Sequence, residues 1–472
     1  PTAEELAKME ALLEKAMQEG YPGFSTDGLP FHYLANQPNT RKQIPTQFAT
    51  FKELKRLTAV LRKHNRVWQA TPPKDSPPKT VRNFLLTSGR LYKKPLKVTA
   101  TAAIDLHTNS GIAKLGMILT RLLNSWLIKG HFRFQALSAK FRVWADGVIT
   151  PVAEEIPELR VLNELDLDDR EGRLRILNDP AWLVEFRKMW FKGKRGFNLD
   201  VIKRWLNRED NVLNRRLDDM TFSDCPMAHW NGQSMQKPFE RLVQWQKTGG
   251  KEGAVNQEEA ELFKKLKNPI VDDAEFFLEM LRHWDLECRW ETAVANRDPE
   301  MTKKLLFHPL TLPGFNDSGA HLTNLAFYDG NLRTLKIAQG EGMDWVASAV
   351  HRLTQAPAEF FGLNTGVLKV GAQADIVVVD PQALRQWEPE NTYKVIWRDL
   401  FSSKQVVNRP EGVVTQVMIG GHMAWSEGEF TERLGQMPFG RLMRAQDHPA
   451  EISRQSGLSQ NIQKSQATAK AA

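Results

Sequence analysis

The chain has 472 residues, 41% of them hydrophobic and 25% charged, with a formal charge of +8. That composition suits a soluble globular protein of two or more domains and argues against a disordered chain. The basic excess is strongest between Lys42 and Lys97. It comes with no nucleic-acid motif and no aromatic-interleaved basic block, so nucleic acid is not an expected partner. A solvated basic surface is the plainer reading, and attraction of an anionic substrate is the other. Cys225 and Cys288 are the two cysteines, too few for a disulfide framework. No run of about 18 apolar residues points to a membrane span, and no leader-like segment opens the sequence. The expectation is a cytoplasmic protein without membrane contact.

In chain order, Pro1 to Glu19 reads as a helix. Leu6, Met9, Leu12, Leu13 and Met17 recur at helical spacing, Thr2 and Glu5 fit a capping box, and Gly20 stops it. Pro22 to Asp27 is a strand end running into a polar loop. Phe51 to Lys63 is a helix, Arg66 to Ala70 a strand, and Val81 to Leu91 a helix. Leu96 to Leu106 is a buried strand ending at Asp105 and His107, Ile112 to Leu127 a helix, and Phe132 to Trp144 holds another strand. Strands alternating with helices of about ten residues or more predict an α/β fold with a parallel sheet.

The middle is less regular. Helices are expected over Ala181 to Lys194, Leu199 to Leu206, Glu258 to Lys267 and Ala274 to Trp284, and one long helix over Met343 to Phe361. From Gly366 the texture changes to short strands between turn glycines, a separate β module. Beyond about Pro449 the Ser/Gln/Ala/Lys composition reads as a weakly ordered tail. The division expected is residues 1–364 for the α/β part, 365–444 for the β module and 445–472 for the tail.

The chemistry-bearing stretch is Phe307-His308-Pro309, followed by Gly314-Phe315-Asn316-Asp317-Ser318-Gly319-Ala320-His321. An Asp between two His follows the apolar run Leu305-Leu306-Phe307. A carboxylate beside imidazoles at the C-terminal end of a barrel strand serves as metal ligand or general base. Two further stretches join it. One is Glu19 to Thr26 with His32 and Ile44-Pro45-Thr46-Gln47-Phe48-Ala49. The other runs from Ala349-Val350-His351-Arg352-Leu353-Thr354 through Gly362, Gly366 and Gly371 to Ala374-Asp375-Ile376.

Together the three stretches resemble the amidohydrolase superfamily, in its N-acyl-D-amino-acid deacylase (D-aminoacylase) branch. The likeness is densest from His308 to Val379 and thin from Lys194 to Glu300. It implies an amidohydrolase-type (β/α)8 barrel with a small C-terminal β-sandwich module, and a hydrolase cleaving the amide C–N bond of an N-acyl amino acid. It also implies zinc, with Asp317 activating the metal-bound water and protonating the leaving nitrogen.

The departures are specific. The family carries H-x-H on its first barrel strand, and this sequence has none. Gln69 stands where some relatives carry a metal-bridging Glu. The resemblance also starts well inside the family's barrel, so the barrel is expected to be incomplete at its N-terminal end. The missing part, with its H-x-H, is expected from an N-terminal amidohydrolase fragment or a separate subunit, giving a hetero-oligomer.

Each candidate has a plainer reading. Asp317, expected as catalytic base and metal ligand, also fits an Asx turn. His107, expected as a metal ligand, could simply be hydrogen-bonded at a strand end. His32, Ser25 and His321 are expected at the substrate, where loop geometry or capping would also explain them. His308 is expected to pack. Cys225 near His229 is expected to be a buried free thiol rather than a nucleophile. Two functions follow: a metal-dependent amide hydrolase that needs its partner, or a catalytically inactive barrel-derived scaffold.

Overall fold

The structure, a computed structural model, describes residues 1–34, 36–73 and 76–446. Its strands are β1 (Gly23–Asp27), β2 (Val67–Thr71), β3 (Lys97–Ala103), β4 (His131–Ala136), β5 (Phe141–Asp146), β6 (Thr221–Phe222), β7 (Arg289–Ala295) and β8 (Thr311–Pro313). The C-terminal region adds β9 (Ile376–Val379), β10 (Tyr393–Arg398), β11 (Ser403–Asn408), β12 (Val414–Ile419), β13 (His422–Ser426) and β14 (Glu429–Phe430).

Five strands form one parallel sheet in the order β1-β2-β3-β4-β8. Helices Phe51–Lys63 and Gly111–Leu123 lie in the crossovers that parallel pairing requires. The register sets which side chains face them. Phe24, Trp68, Ala70, Val98, Ala100 and Phe132 share the outer face and pack on Leu54, Leu61, Phe84 and Leu123. The alternate residues Ser25, Gln69, Thr99 and Arg133 align across the other face. The sheet has the α/β barrel character expected, as five strands with open edges at β1 and β8.

Between β4 and β8 the chain makes a largely helical insertion around the antiparallel sheet β5-β7-β6. Its core holds the fully buried Trp190, Trp230 and Trp290. Within it Arg173 grips Asp285 with two hydrogen bonds of 2.7 and 2.9 Å, both side chains being nearly buried. The C-terminal region is antiparallel: the sheet β14-β13-β12-β9 and the hairpin β10-β11. No described helix is long and apolar enough to cross a membrane.

Four elements differ from the sequence reading. Leu305 and Leu306 end a helix, Pro299–Leu306, and the strand is β8, five residues later. Asp298 caps that helix and Pro299 occupies its first turn, a start signal that outweighs the apolar run. The stretch Met343 to Phe361 is two helices, Met343–Leu353 and Gln355–Phe361, broken at Thr354. Pro357 explains the break, because its ring would collide with the Leu353 carbonyl in a continuous helix. Phe132 to Trp144 is two strands in different sheets, β4 and β5. Val81 to Leu91 divides into helix Pro77–Phe84, a 3-10 turn and the short helix Gly89–Tyr92.

Elsewhere the capping box forms as read: the Glu5 amide donates to Thr2 Oγ1 and the Thr2 amide to Glu5 Oε2. Of the expected tail, residues 447–472 lie outside the described residues. Ala445 and Gln446 are tied down. The Ala445 amide donates to the Gly20 carbonyl at 2.8 Å and the Gln446 amide to the Gly362 carbonyl at 2.9 Å. Arg66 gathers the carbonyls of Met17, Tyr21, His64 and Ala445 on one guanidinium. Gly20 is required there, because its φ is +93° and a Cβ would stand 2.6 Å from Arg444 Cβ.

Candidate active site

Strand β8 ends at Pro313, and the loop that follows is built around Ser318. Asn316 Oδ1 accepts from the Ser318 amide in an Asx turn. Ser318, fully buried, accepts the Phe327 amide on its hydroxyl and the Tyr328 hydroxyl on its carbonyl. This fixes Asp317 in a left-handed conformation, φ +55°. Its side chain is turned out and 48% exposed, with His321 Nε2 at 3.8 Å from Oδ2. The Asx turn expected as the plainer reading is therefore present, and it is centred on Asn316, leaving the Asp317 carboxylate free of it.

Arg352, from the third sequence stretch, secures this strand from behind. Its Nη2 reaches the carbonyls of Leu306, His308 and Thr311. His308 itself uses Nδ1 to accept the Leu310 amide, which gives it a turn-forming part.

A second group lies at the C-terminal end of β1. His32 Nδ1 donates to Asp27 Oδ2 at 2.5 Å. Thr46 closes the loop by accepting from the Asp27 amide and donating to the Asp27 carbonyl, while Gln47 donates to the His32 carbonyl. The Ile44–Ala49 stretch thus works by holding the Asp27–His32 pair. That hydrogen bond raises the His32 pKa against the effect of burial, and the charges of Asp27, Glu154 and Asp317 add to the rise. Glu154, at the end of the short helix Pro151–Glu154, has its carboxyl pushed up by burial and pulled back by His321 and His32. These mutual influences bring Asp27, His32, Glu154, Asp317 and His321 into one electrostatic neighbourhood, three carboxylates and two imidazoles.

Asp27 and Glu154 were not singled out in the sequence. Asp27 was findable, as the acidic residue closing the strand before His32. Glu154 was not, because only the tertiary course of the insertion carries it there. Ser25 lies two residues before Asp27 on the same face of β1, exposed, and its hydroxyl donates to the Gln69 carboxamide oxygen.

His107 stands elsewhere. It follows β3, and its Nε2 is 3.6 Å from Asp219 Oδ2. Arg297 donates to the other Asp219 oxygen at 2.8 Å. Burial opposes ionisation of Asp219, but the nearby His107 and hydrogen bonds from Arg297 and Asn214 outweigh it and hold its pKa well below the usual carboxylate range. The structure therefore pairs His107 with Asp219 and leaves Asp317 with His321. Among the described residues no three His, Cys, Asp or Glu side chains converge to hold a metal ion. The donors present do not by themselves make a zinc site. Cys225 and Cys288 are free and buried, and burial pushes the Cys225 thiol up to about 11. His229 turns to Glu259 and Asn256 instead of the thiol, so no nucleophilic pair forms.

Three comparisons with known proteins bear on this chain. Residues 317–424 match the model of the amidohydrolase family. Uncharacterized proteins of Mycobacterium bovis and Mycobacterium tuberculosis are 29% identical over 467 residues, 96% of this chain and 69% of theirs. A dihydroorotase of Geobacillus thermodenitrificans is 34% identical over 108 residues, 22% of this chain and 20% of that enzyme. Among solved structures, an N-acyl-D-glutamate deacylase from Bordetella bronchiseptica, complexed with zinc and a phosphonate inhibitor, superposes with TM-score 0.46 at 17% identity. A D-aminoacylase does so with TM-score 0.45 at 15% identity. Each covers 94% of this chain, which spans 67% of theirs.

Proposed function

We propose, from the match of residues 317–424 to the amidohydrolase family, that this chain is of the amidohydrolase superfamily and carries the Asp317 side of a hydrolytic site cleaving the amide C–N bond of an N-acyl amino acid. The observation that carries the reading is the placement of Asp317. It is an exposed carboxylate on the loop at the C-terminal end of a parallel strand, with His321 at 3.8 Å and His32 in its field.

The chain's own residues supply a proton path. Asp317 accepts a proton from the attacking water as the water oxygen bonds to the carbonyl carbon. As the C–N bond breaks, Asp317 passes that proton to the leaving nitrogen, and carboxylate and amine products result. His32, held toward its protonated form by Asp27, supplies positive charge for the carboxylate of an N-acyl amino acid. Ser25 and His321 border the same space as further hydrogen-bonding groups.

Zinc belongs to the proposal with ligands from outside the described set, since His107 is engaged by Asp219. The proposed source is a further amidohydrolase segment carrying H-x-H, in the same polypeptide or a separate subunit. The open β1 edge supports this reading, because an unpaired edge is the ordinary place for strand addition.

The test is turnover of a panel of N-acyl amino acids by the purified protein with whatever polypeptide it retains, alongside Asp317→Asn and metal analysis. The reading expects amine release in the wild type and a loss of roughly 10²–10⁴-fold in the variant. Equal turnover in both would remove Asp317 from the mechanism. A metal-free protein inactive on the whole panel would favour the scaffold reading.

A further inference from the structure

At the opposite end of the parallel sheet from Asp317, the face turned away from the outer helices carries basic side chains with no counter-ion among the described residues. Lys97 opens β3 and His131 opens β4, directly paired in register. Thr99 and Arg133 pair two residues on, on the same face. Arg352 approaches from helix Met343–Leu353, and the charge of Arg133 acts on it.

The acceptors these groups find are neutral. Arg133 donates to Asn124 Oδ1 and the Phe132 carbonyl. Arg352 donates to three carbonyls and the Thr311 hydroxyl, and its Nε is buried without a partner. Lys97 is 8% exposed, and no described residue forms a hydrogen bond or ion pair with its amine. The Thr99 hydroxyl is likewise buried and unpartnered. The His131 ring packs edge-on against Phe360 and hydrogen-bonds to no described side chain.

Buried charge of one sign is costly unless an opposite charge completes it. We infer that this end of the sheet is a seat for a small oxyanion, carboxylate or phosphate, gripped by Lys97, Arg133 and Arg352 with His131 and the Thr99 hydroxyl as further donors. The ionisation balance agrees. Burial, then the charges of Arg66 and Lys94, bring Lys97 down to about 8; burial, then the charges of Arg133 and Lys97, bring His131 down to about 4. Burial, with Arg133 beside it, brings Arg352 to about 10, and burial alone lowers Arg133. Among the described residues no carboxylate acts on any of the four. An oxyanion placed among them would reverse each shift. The seat lies at the N-terminal ends of the strands, so it is separate from the candidate active site and does not depend on the hydrolase reading.

The oxyanion has two possible sources, a free ion or an Asp or Glu side chain of another polypeptide segment. Two measurements on the full chain separate them. In the first, inorganic phosphate is titrated at constant ionic strength while the melting temperature and the His131 imidazole NMR signal are followed. Lys97→Met and Arg133→Gln are measured beside the wild type, so that one variant remains if the other does not fold. A free-ion seat gives a saturable rise in melting temperature and an upward shift of the His131 pKa. Both are weakened at least about tenfold in either variant. In the second, carbodiimide coupling without a spacer is followed by mass analysis of the peptide holding Lys97. A Lys97 isopeptide to an acidic residue of a co-purifying segment assigns the carboxylate to that segment. An equal phosphate response in wild type and variants, an adventitious ion only, overturns the inference. So does a wild type that gives neither the phosphate response nor the coupling.

Discussion

His32 Nδ1 and Asp27 Oδ2 stand 2.5 Å apart, joining the last residue of β1 to a loop five residues on. The hydrogen bond stabilises the protonated imidazole, so the His32 pKa lies above its ordinary 6.5. A group whose folded pKa is raised contributes stability below its unfolded pKa and loses it as pH rises through the folded value. Asp27→Asn should therefore lower the His32 pKa in an NMR titration. Its stability deficit should be full below about pH 6.5 and fade above the folded pKa. A His32 titration unchanged in the variant would show that Asp27 does not hold the imidazole.

Asp317 at φ +55° sits where Asn and Asp are tolerated and β-branched residues are not. Asp317→Asn is expected to keep the melting temperature within a few degrees. Asp317→Val should cost about 1–3 kcal/mol in urea unfolding. Equal stability of the two variants would count against the left-handed turn.

Arg173 and Asp285 form a nearly buried two-point pair, and Arg173 also donates to the carbonyls of Asp166 and Leu167. Removing one member leaves the other charge buried alone. Arg173→Met should therefore destabilise by about 3–5 kcal/mol. Adding Asp285→Asn should recover part of that loss, because the stranded carboxylate is gone. Strict additivity in this double-mutant cycle would show that the pair is not coupled.

Asp219 illustrates the opposite sign. Its folded pKa is depressed below the ordinary 3.8 by His107, Arg297 and Asn214, despite burial. Its contribution is present above the unfolded pKa and lost as pH falls through the folded one. Asp219→Asn should be less stable than wild type at pH 7, and the two should converge in strong acid. The variant also frees His107, so its zinc affinity, measured by competition with a chromogenic chelator, should not fall. A fall would make Asp219 itself a ligand.

What the sequence made legible was local or repetitive. Helix Phe51–Lys63 appears with the bounds its periodicity predicts, and the start of helix Ala3–Gln18 is set by two side chains three residues apart. The alternation of strand and helix predicted the parallel sheet. What stayed hidden depended on competition between signals or on long-range contact. Leu305-Leu306-Phe307 reads as a strand only while the Asp298-Pro299 helix start is overlooked. The pairing of β5 with β7 joins residues more than a hundred positions apart. Of the candidate site, Asp317, His321 and His32 were visible as residue types in short motifs. Their shared field with Glu154, and the engagement of His107 by Asp219, arise only when the insertion folds back.

The guanidinium of Arg66 takes carbonyls from Met17, Tyr21 and His64 on one side and Ala445 on the other. Gln446 meanwhile ties the same strip to Gly362. This has a practical corollary for anyone choosing where to cut the polypeptide. A shortened version ending between the α/β part and residue 445 would look reasonable from the change in sequence texture near Gly366. It would also strip an acceptor from Arg66 and uncover the crevice beside Gly20, where Arg444 lies. Expression boundaries for the α/β part are better drawn to retain residues 444–446, even when the β module between them is the piece to be replaced.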